Sequence, residues 1–237
     1  MSSTPSTSSR VRPEPFLDER TALTCIHCGL CLVACPTFLE TGNENFSPRG
    51  RIYMMRQLQS GRAPLNASSV RLLDLCLGCR GCESVCPSGV HYGQLLETSR
   101  DYVERKYHRS LFQFLLRRAF VEQVFPYPWR MKLALLPLKL LRALRLERLL
   151  PKSLRDITAL VPTGGPAVTV PEFSPAATVQ KKGRVGFMTG CVQSVLFSPT
   201  NAASVRLLNR AGYDVVVPPA QGCCGALYSH TGRLAKA

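Results

Sequence analysis

The chain has 237 residues, with 30 Lys or Arg against 15 Asp or Glu and a formal net charge of +15. This length allows one or two domains with their own cores. Prolines and basic residues interrupt every apolar run before the roughly 18 residues that a membrane-spanning helix requires, so we expect no transmembrane helix. Eleven cysteines cannot all pair, and no hydrophobic signal segment opens the chain, which argues against disulfides and for a reducing compartment.

Residues 1–16 contain too little apolar sequence to fold, and we expect them to form a mobile tail. Residues 17–107 contain the same cysteine run twice, Cys25-x2-Cys28-x2-Cys31-x3-Cys35-Pro36 and Cys76-x2-Cys79-x2-Cys82-x3-Cys86-Pro87. Eight thiolates at this spacing are typical of two cubane 4Fe-4S clusters, and the fourth cysteine of each run binds the cluster of the other run. The predicted ligand sets are Cys25, Cys28, Cys31 and Cys86 for the first cluster and Cys76, Cys79, Cys82 and Cys35 for the second.

A zinc ribbon is the main alternative for such cysteines. It uses C-x2-C pairs, but it has no use for the third cysteine of each run or for the fourth followed by proline. Gly29, Gly78 and Gly81 lie in the cysteine loops, where glycine tolerates the tight bends that a cluster demands. Arg80 is predicted either to raise the potential of the second cluster or to be a solvated surface residue. His27 is expected to be exposed and not to be a ligand.

The segments around the cysteine runs favour helices. Ser47 to Arg51 predicts a turn that leads into a helix over 52–58, and further helices are expected over 68–75 and 92–107. Repetition of the cysteine run after helical segments predicts two similar halves that exchange one ligand each. The predicted module is therefore a helix-rich two-cluster ferredoxin domain that depends on iron and sulfide for folding.

Most of the positive charge is concentrated in the region over residues 108–161 and the residues beside it. Between Arg105 and Arg155 there are thirteen Lys or Arg against Glu122 and Glu147. Leucines alternate with these basic residues, which predicts a basic amphipathic helical region. Such a helix can lie on a membrane surface, or it can pack on its own domain with a solvated basic face, and the sequence leaves both open. Aromatic residues are too scattered for a stacking platform, so no nucleic acid is expected as a partner.

Residues 162–182 are rich in proline, glycine, alanine and threonine and are predicted to be a linker. A strand over 184–189, a helix over 201–210 and a strand over 213–217 then predict a βαβ unit with parallel strands within residues 183–237. Open α/β sheets bind ligands at the ends of such strands. Cys191 follows the first strand, and Cys223 and Cys224 follow the second. These three thiols are candidates for a metal or redox site, with inert buried cysteines as the alternative.

Several of these segments together resemble the family of glycolate oxidase iron-sulfur subunits. They are the two cysteine runs, Pro48 to Tyr53, Cys86 to Tyr92, Gly190-Cys191, Ser198 to Ala203 and Gly222-Cys223-Cys224-Gly225-Ala226. Iron-sulfur subunits of anaerobic glycerol-3-phosphate dehydrogenase and heterodisulfide reductase subunits share the cysteine elements but match the other segments less well. Members typically carry a second CCG-containing half, so we expect residues 183–237 to be a partial cysteine-rich domain of a C-terminally truncated member.

The resemblance implies a division of labour. FAD-bearing partner subunits oxidise glycolate, and this chain, without catalytic residues of its own, passes their electrons to a respiratory acceptor. The resemblance implies two 4Fe-4S clusters, with a further cluster or metal at the CCG site, in a cytoplasmic protein on the inner face of the membrane. A glycerol-3-phosphate or lactate dehydrogenase complex is the alternative, and an iron-sulfur nucleic-acid-binding protein is an alternative of another class. The predicted fold is α+β, with the ferredoxin domain followed by a Rossmann-like βαβ domain.

Overall fold

The computed structural model describes residues 14–162 and 168–237, so most of the predicted tail and residues 163–167 of the predicted linker lie outside it. The chain divides into two compact units. The first contains the residues up to Arg109 together with Gly225–Ala237, and the second is Ser110–Cys224. The described residues are mainly helical with one small sheet, which confirms the predicted α+β class.

The first unit is helical in its described residues. Its helices are α1 (Glu19–Leu23), α2 (Pro36–Thr41), α3 (Pro48–Gln59), α4 (Ala67–Asp74), α5 (Gly81–Ser84), α6 (Tyr92–Lys106) and α12 (Ala226–His230), with 3₁₀ turns at Glu44–Phe46 and Leu234–Lys236. Ser47 caps α3, because its Oγ accepts a hydrogen bond of 3.1 Å from the Gly50 N–H. Asn66 and Ser69 form a reciprocal capping box that starts α4.

The core of the first unit is built from α3, α4 and α6. Met55, Leu73, Leu95 and Val103 are each at most 1% exposed. Burying an apolar side chain of this size contributes about 1.5–3 kcal/mol. Helices α4 and α6 lie where the sequence predicts them, and their packed faces hold the ends of the two cysteine loops in place.

The last thirteen residues belong to the first unit, although the sequence assigns residues 183–237 to one module. His230 Nδ1 lies 3.1 Å from Glu97 Oε1, and the Arg100 guanidinium donates to the His230 carbonyl at 2.8 Å. The Leu234 N–H donates to Asp101 at 3.3 Å. These polar contacts with α6 join residues more than 120 positions apart in the sequence, and no local pattern encodes them.

The second unit combines helices with a three-stranded sheet. Its elements are α7 (Leu111–Arg118), a π-helical turn (Ala119–Val124), α8 (Pro128–Ala143), a 3₁₀ turn (Leu146–Leu149), α9 (Lys152–Ala159), β1 (Phe173–Ser174), β2 (Gly183–Gly186), α10 (Cys191–Leu196), α11 (Ser198–Arg210) and β3 (Tyr213–Val216). The strand order is β1-β3-β2. Strands β2 and β3 are parallel, as the βαβ prediction requires, with Val185 opposite Val215.

The predicted linker over 162–182 contains a strand. Within it, β1 pairs antiparallel with β3, with Phe173 opposite Val216, and gives the parallel pair a third strand. A two-residue strand flanked by prolines lacks the alternating pattern by which strands are recognised, which explains why the sequence did not predict it. Val205 and Val215 are at most 3% exposed and form the centre of the small core beside the sheet.

The basic region over 108–161 forms several helices, and many of its large apolar side chains are exposed. Leu111 and Phe112 are 73% and 71% exposed, and Trp129, Leu133 and Leu140 are between 59% and 62% exposed. The apolar side chains of this region are therefore not packed away within the described residues. None of the described helices has the length and apolar character that crossing a membrane requires.

Candidate iron–sulfur sites

The first four predicted ligands line one cavity. Its wall contains Cys25, Cys28, Cys31 and Cys86. The first three lie on the loop between α1 and α2, where His27 and Gly29 adopt positive φ angles of 55° and 87°. A positive φ costs glycine nothing, whereas at His27 it strains the backbone. His27 is exposed, as the sequence predicts.

The second four line another cavity. Its wall contains Cys35, Cys76, Cys79 and Cys82. The last three lie between the end of α4 and the middle of α5, and Cys35 comes from the other loop as the residue that precedes α2. The cavities thus bring the eight cysteines together in the two sets that the spacing predicts, each with three thiols from one run and one from the other.

All eleven cysteines of the chain are free thiols in the structure. Within residues 14–162 and 168–237, no three or more His, Cys, Asp or Glu side chains are grouped so as to hold a metal ion. A cubane places each of its four thiolate ligands on a different iron, so it needs a cavity with four thiols around it. Each of the two cysteine-lined cavities has four cysteines in its wall, which is the number of ligands that a cubane needs.

Two polar side chains approach the thiols of the second cavity. Arg51 is 1% exposed and its Nη1 lies 3.9 Å from Cys35 Sγ, and the Tyr92 hydroxyl donates to Cys76 Sγ at 3.6 Å. Burial raises the pKa of Tyr92 well above its ordinary value, so the hydroxyl keeps its proton and remains a donor. Both side chains present positive charge or a proton to a predicted ligand.

The pKa values of two thiols of this cavity are shifted in opposite directions. Burial raises the pKa of Cys82 to about 12, and the neighbouring Cys76 adds to the rise. Burial also acts to raise the pKa of Cys35, but hydrogen bonds from Thr37 and a backbone N–H, with the charge of Arg51, bring it below its ordinary value. Because iron binds thiolates, loading this cavity would release protons, and of these two thiols Cys35 ionises more readily.

Arg80, which the sequence singled out, lies in the wall of the second cavity but is half exposed. Its guanidinium lies 3.9 Å from Glu83 and 4.0 Å from Glu97. Two carboxylates therefore already offset its charge, which weakens the predicted effect on the second cluster. Arg51 is the buried charge of this wall, although the sequence placed it only in a turn before a helix and in a segment of the family resemblance.

In the second unit, Cys191 begins α10, and Cys223 and Cys224 lie in the loop after β3. Burial raises the pKa of Cys191, and interactions with Cys223 and Cys224 contribute to the rise, but in the described residues the three thiols do not form a group that could hold a metal ion. Gln221, which no sequence pattern marks, joins the loop of Cys223 to the segment before Cys191. Its Oε1 accepts from the Thr189 N–H at 2.9 Å, and its Nε2 donates to the Phe187 carbonyl at 2.9 Å.

A 4Fe-4S dicluster domain model matches residues 21–90, and a cysteine-rich domain model matches residues 185–237. The probable glycolate oxidase iron-sulfur subunit of Bacillus subtilis is 41% identical over 92% of this chain and 52% of its own length. The glycolate oxidase iron-sulfur subunit of Escherichia coli is 39% identical over 90% of this chain and 48% of its own. A fumarate reductase (CoM/CoB) subunit of Methanothermobacter marburgensis is 25% identical over 95% of this chain and 39% of its own.

The chain spans about half the length of the curated relatives it matches. No solved structure matches it. The matches place both predicted domains in the predicted order. The chain therefore contains a 4Fe-4S dicluster domain followed by a cysteine-rich domain, and over about nine tenths of its length it is homologous to glycolate oxidase iron-sulfur subunits.

Proposed function

We propose that this chain is the electron-transfer subunit of a flavin-dependent glycolate oxidase or dehydrogenase complex. In this role it passes electrons from reduced FAD in a partner subunit to a respiratory acceptor, and substrate oxidation takes place on the partner. The observation that carries the proposal is the pair of cavities, each lined by four cysteines contributed by both runs. The names of the two relatives at 39% and 41% identity support glycolate as the substrate of the complex.

The ligand sets in this proposal follow the two cavities. Cys25, Cys28, Cys31 and Cys86 hold the first 4Fe-4S cluster, and Cys76, Cys79, Cys82 and Cys35 hold the second. Clusters of this type supply a carrier for one electron at a time when bound. The chain's own side chains bind the irons, and in the second set Cys35 and Cys82 limit access of water, since they are only 6% and 8% exposed.

Exchange of ligands between the runs is tested by anaerobic reconstitution with iron and sulfide. The wild type is expected to hold at least about eight irons per chain, eight of them in the two cubanes, and to show two interacting reduced centres by electron paramagnetic resonance. Cys35→Ser should disturb the centre held by the second run, and Cys86→Ser the centre held by the first. Val179→Ser, at a fully exposed position outside both cysteine runs, is the control and should load like the wild type. About four irons or fewer in the wild type, or two intact centres in both cysteine variants, would contradict the ligand assignment.

The substrate of the complex is tested separately. Partners captured with the full chain should oxidise glycolate with the clusters as electron acceptor, and the captured subunits should contain FAD. Faster turnover with lactate or glycerol 3-phosphate would replace glycolate by the alternative substrate without affecting the ligand assignment.

A third centre at the cysteine-rich domain is part of the proposal. Cys191, Cys223 and Cys224 are its candidate ligands, because all three follow strands of the sheet and because Cys223 and Cys224 both contribute to the raised pKa of Cys191. Wild-type protein should bind iron or another metal beyond the about eight irons of the two cubanes, and Cys191→Ser should lose only that excess. Equal metal content in the wild type and Cys191→Ser would remove this site.

Peripheral attachment to an anionic membrane surface on the cytoplasmic side is also proposed. Exposed apolar side chains of α7 and α8, such as Phe112 and Leu133, lie among basic residues in sequence, a combination that binds lipid interfaces. The full chain should co-sediment with vesicles that contain anionic lipid, more strongly than with zwitterionic vesicles, and Phe112→Ser with Leu133→Ser should weaken binding. Equal sedimentation of wild type and variant would argue against this face.

A further inference from the structure

Arg51 is a buried positive charge beside the second cavity. Its side chain, 1% exposed, donates from Nε to the Leu72 carbonyl at 2.7 Å and from Nη2 to Thr37 Oγ1 at 3.0 Å, while Nη1 points to Cys35 Sγ at 3.9 Å. Two of these three acceptors are neutral. In the described residues no carboxylate lies within ion-pairing distance of this guanidinium.

A guanidinium cannot avoid the cost of burial by losing its proton, because its pKa is above about 12. Buried charges of this kind are retained where an opposite charge compensates them. The groups in this wall that can become negative next to Arg51 are the cysteines of the second cavity. The charge of Arg51 therefore acts on whatever these thiolates bind.

Arg49, two residues earlier on α3, lies in the wall of the first cavity in a different electrostatic setting. Its Nε lies 2.6 Å from Glu44 Oε1, and its Nη1 donates to the His27 carbonyl at 2.9 Å. The carboxylate offsets most of the field that Arg49 would otherwise exert. The second cavity thus has the buried charge of Arg51 without a carboxylate partner among the described residues, whereas the first cavity has the ion pair of Arg49 and Glu44.

We propose that Arg51 gives the second cluster the higher reduction potential, so that it is reduced before the first. The inference rests on the proposed ligand sets. Adding an electron to a four-thiolate centre makes it more negative, and a nearby positive charge stabilises the reduced form more than the oxidised form. The Tyr92 hydroxyl, which donates to Cys76 Sγ, acts in the same direction.

The test is a redox titration of anaerobically reconstituted protein, followed by electron paramagnetic resonance. Arg51→Gln removes the charge but keeps a polar side chain, and it should reduce the equilibrium constant for reduction of the higher-potential centre at least tenfold, which is about 59 mV for one electron. Arg56→Gln on the same helix is the matched control, since it removes the same charge from a residue that lines neither cysteine cavity. It should shift each midpoint potential by less than about 59 mV, which is a tenfold change in the equilibrium constant for reduction. Tyr92→Phe should lower the same midpoint as Arg51→Gln.

Two equal midpoints in the wild type, or a loaded Arg51→Gln protein with both midpoints unchanged, would overturn the inference while leaving the ligand sets intact. A wild type that does not take up iron would instead refute the ligand sets. If Arg51→Gln does not load, Arg51→Lys decides, because it retains the charge. The inference requires the higher midpoint potential of Arg51→Lys to lie within about 59 mV of the wild-type value, and a larger fall would overturn it.

Discussion

Gly50 lies where α3 passes closest to the 3₁₀ turn over Glu44–Phe46. A Cβ built at Gly50 would be 2.2 Å from the Glu44 carbonyl oxygen and 3.1 Å from Asn45 Cα, both backbone atoms. To reach the 3.4 Å at which ordinary contacts begin, Gly50→Ala must move the helix and the turn apart by about 1.2 Å. The first turn of α3 carries Arg49 and Arg51, so the displacement reaches both cysteine cavities.

The cost of this substitution follows from two opposing effects. Overpacking of this severity costs about 3 kcal/mol, and replacing glycine by alanine inside a helix returns about 1 kcal/mol. The net destabilisation of the first unit is therefore about 2 kcal/mol, or roughly a 30-fold change in its folded-to-unfolded ratio. Loss of the Arg51 hydrogen bond to Leu72 would add to it.

Urea unfolding of the iron-loaded protein, followed by helical circular dichroism and by release of iron to a chelator, measures this effect. Gly50→Ala should unfold at lower urea and release iron faster than the wild type. Gly186→Ala is the control, because nothing lies within 4 Å of a Cβ built there. If Gly50→Ala matches Gly186→Ala in both measurements, the close approach of α3 to the turn does not constrain the site.

Two further predictions concern the second unit. Gln221→Ala removes the side chain that joins Thr189 to the loop of Cys223, so a short thiol cross-linker should connect Cys191 to Cys223 more slowly than in the wild type. Gln180→Ala, at an exposed position, is the control and should react like the wild type. An unchanged cross-linking rate for Gln221→Ala would refute the role of Gln221. Hydrogen bonds from the Ala176 N–H and from Lys181 lower the pKa of Asp214 below its ordinary value of 3.8, so its stabilising contribution is present above that pH and is lost as the pH falls through the folded-state pKa. The midpoint temperature of thermal unfolding, followed by the fluorescence of Trp129, should therefore fall as the pH is lowered from about 5 to about 2. The fall should be smaller in Asp214→Asn, and parallel pH profiles of the two proteins would contradict this role of Asp214.

Features that depend on near neighbours in the chain were predictable. Helices predicted over 52–58, 68–75 and 92–107 correspond to α3, α4 and α6, since a helix is specified within a few residues of its own sequence. The strand pair of the βαβ unit was predictable for the same reason, although β2 ends at Gly186 and not near residue 189. The ligand sets remain predictions, and the cavity walls support them.

Other features involve partners that are distant in sequence, and no local signal marks them. Strand β1 exists because β3 offers it hydrogen bonds, and the contact of the last residues with α6 depends on Glu97 and Asp101. Gln221 was not recognised, because its role depends on Thr189, which lies 32 positions away.

The amino-acid order alone determined that eight thiols occur as two runs of cluster-binding spacing, because three cysteines of each run lie close enough in sequence to reach one cavity. The tertiary structure decided the charge around those sulfurs. It buries Arg51 and pairs Arg80 with Glu83 and Glu97, reversing the importance that sequence alone gave to the arginines. The physical reason is that an arginine's electrostatic effect depends on its burial and on its carboxylate neighbours, and both are set by packing between segments far apart in the chain.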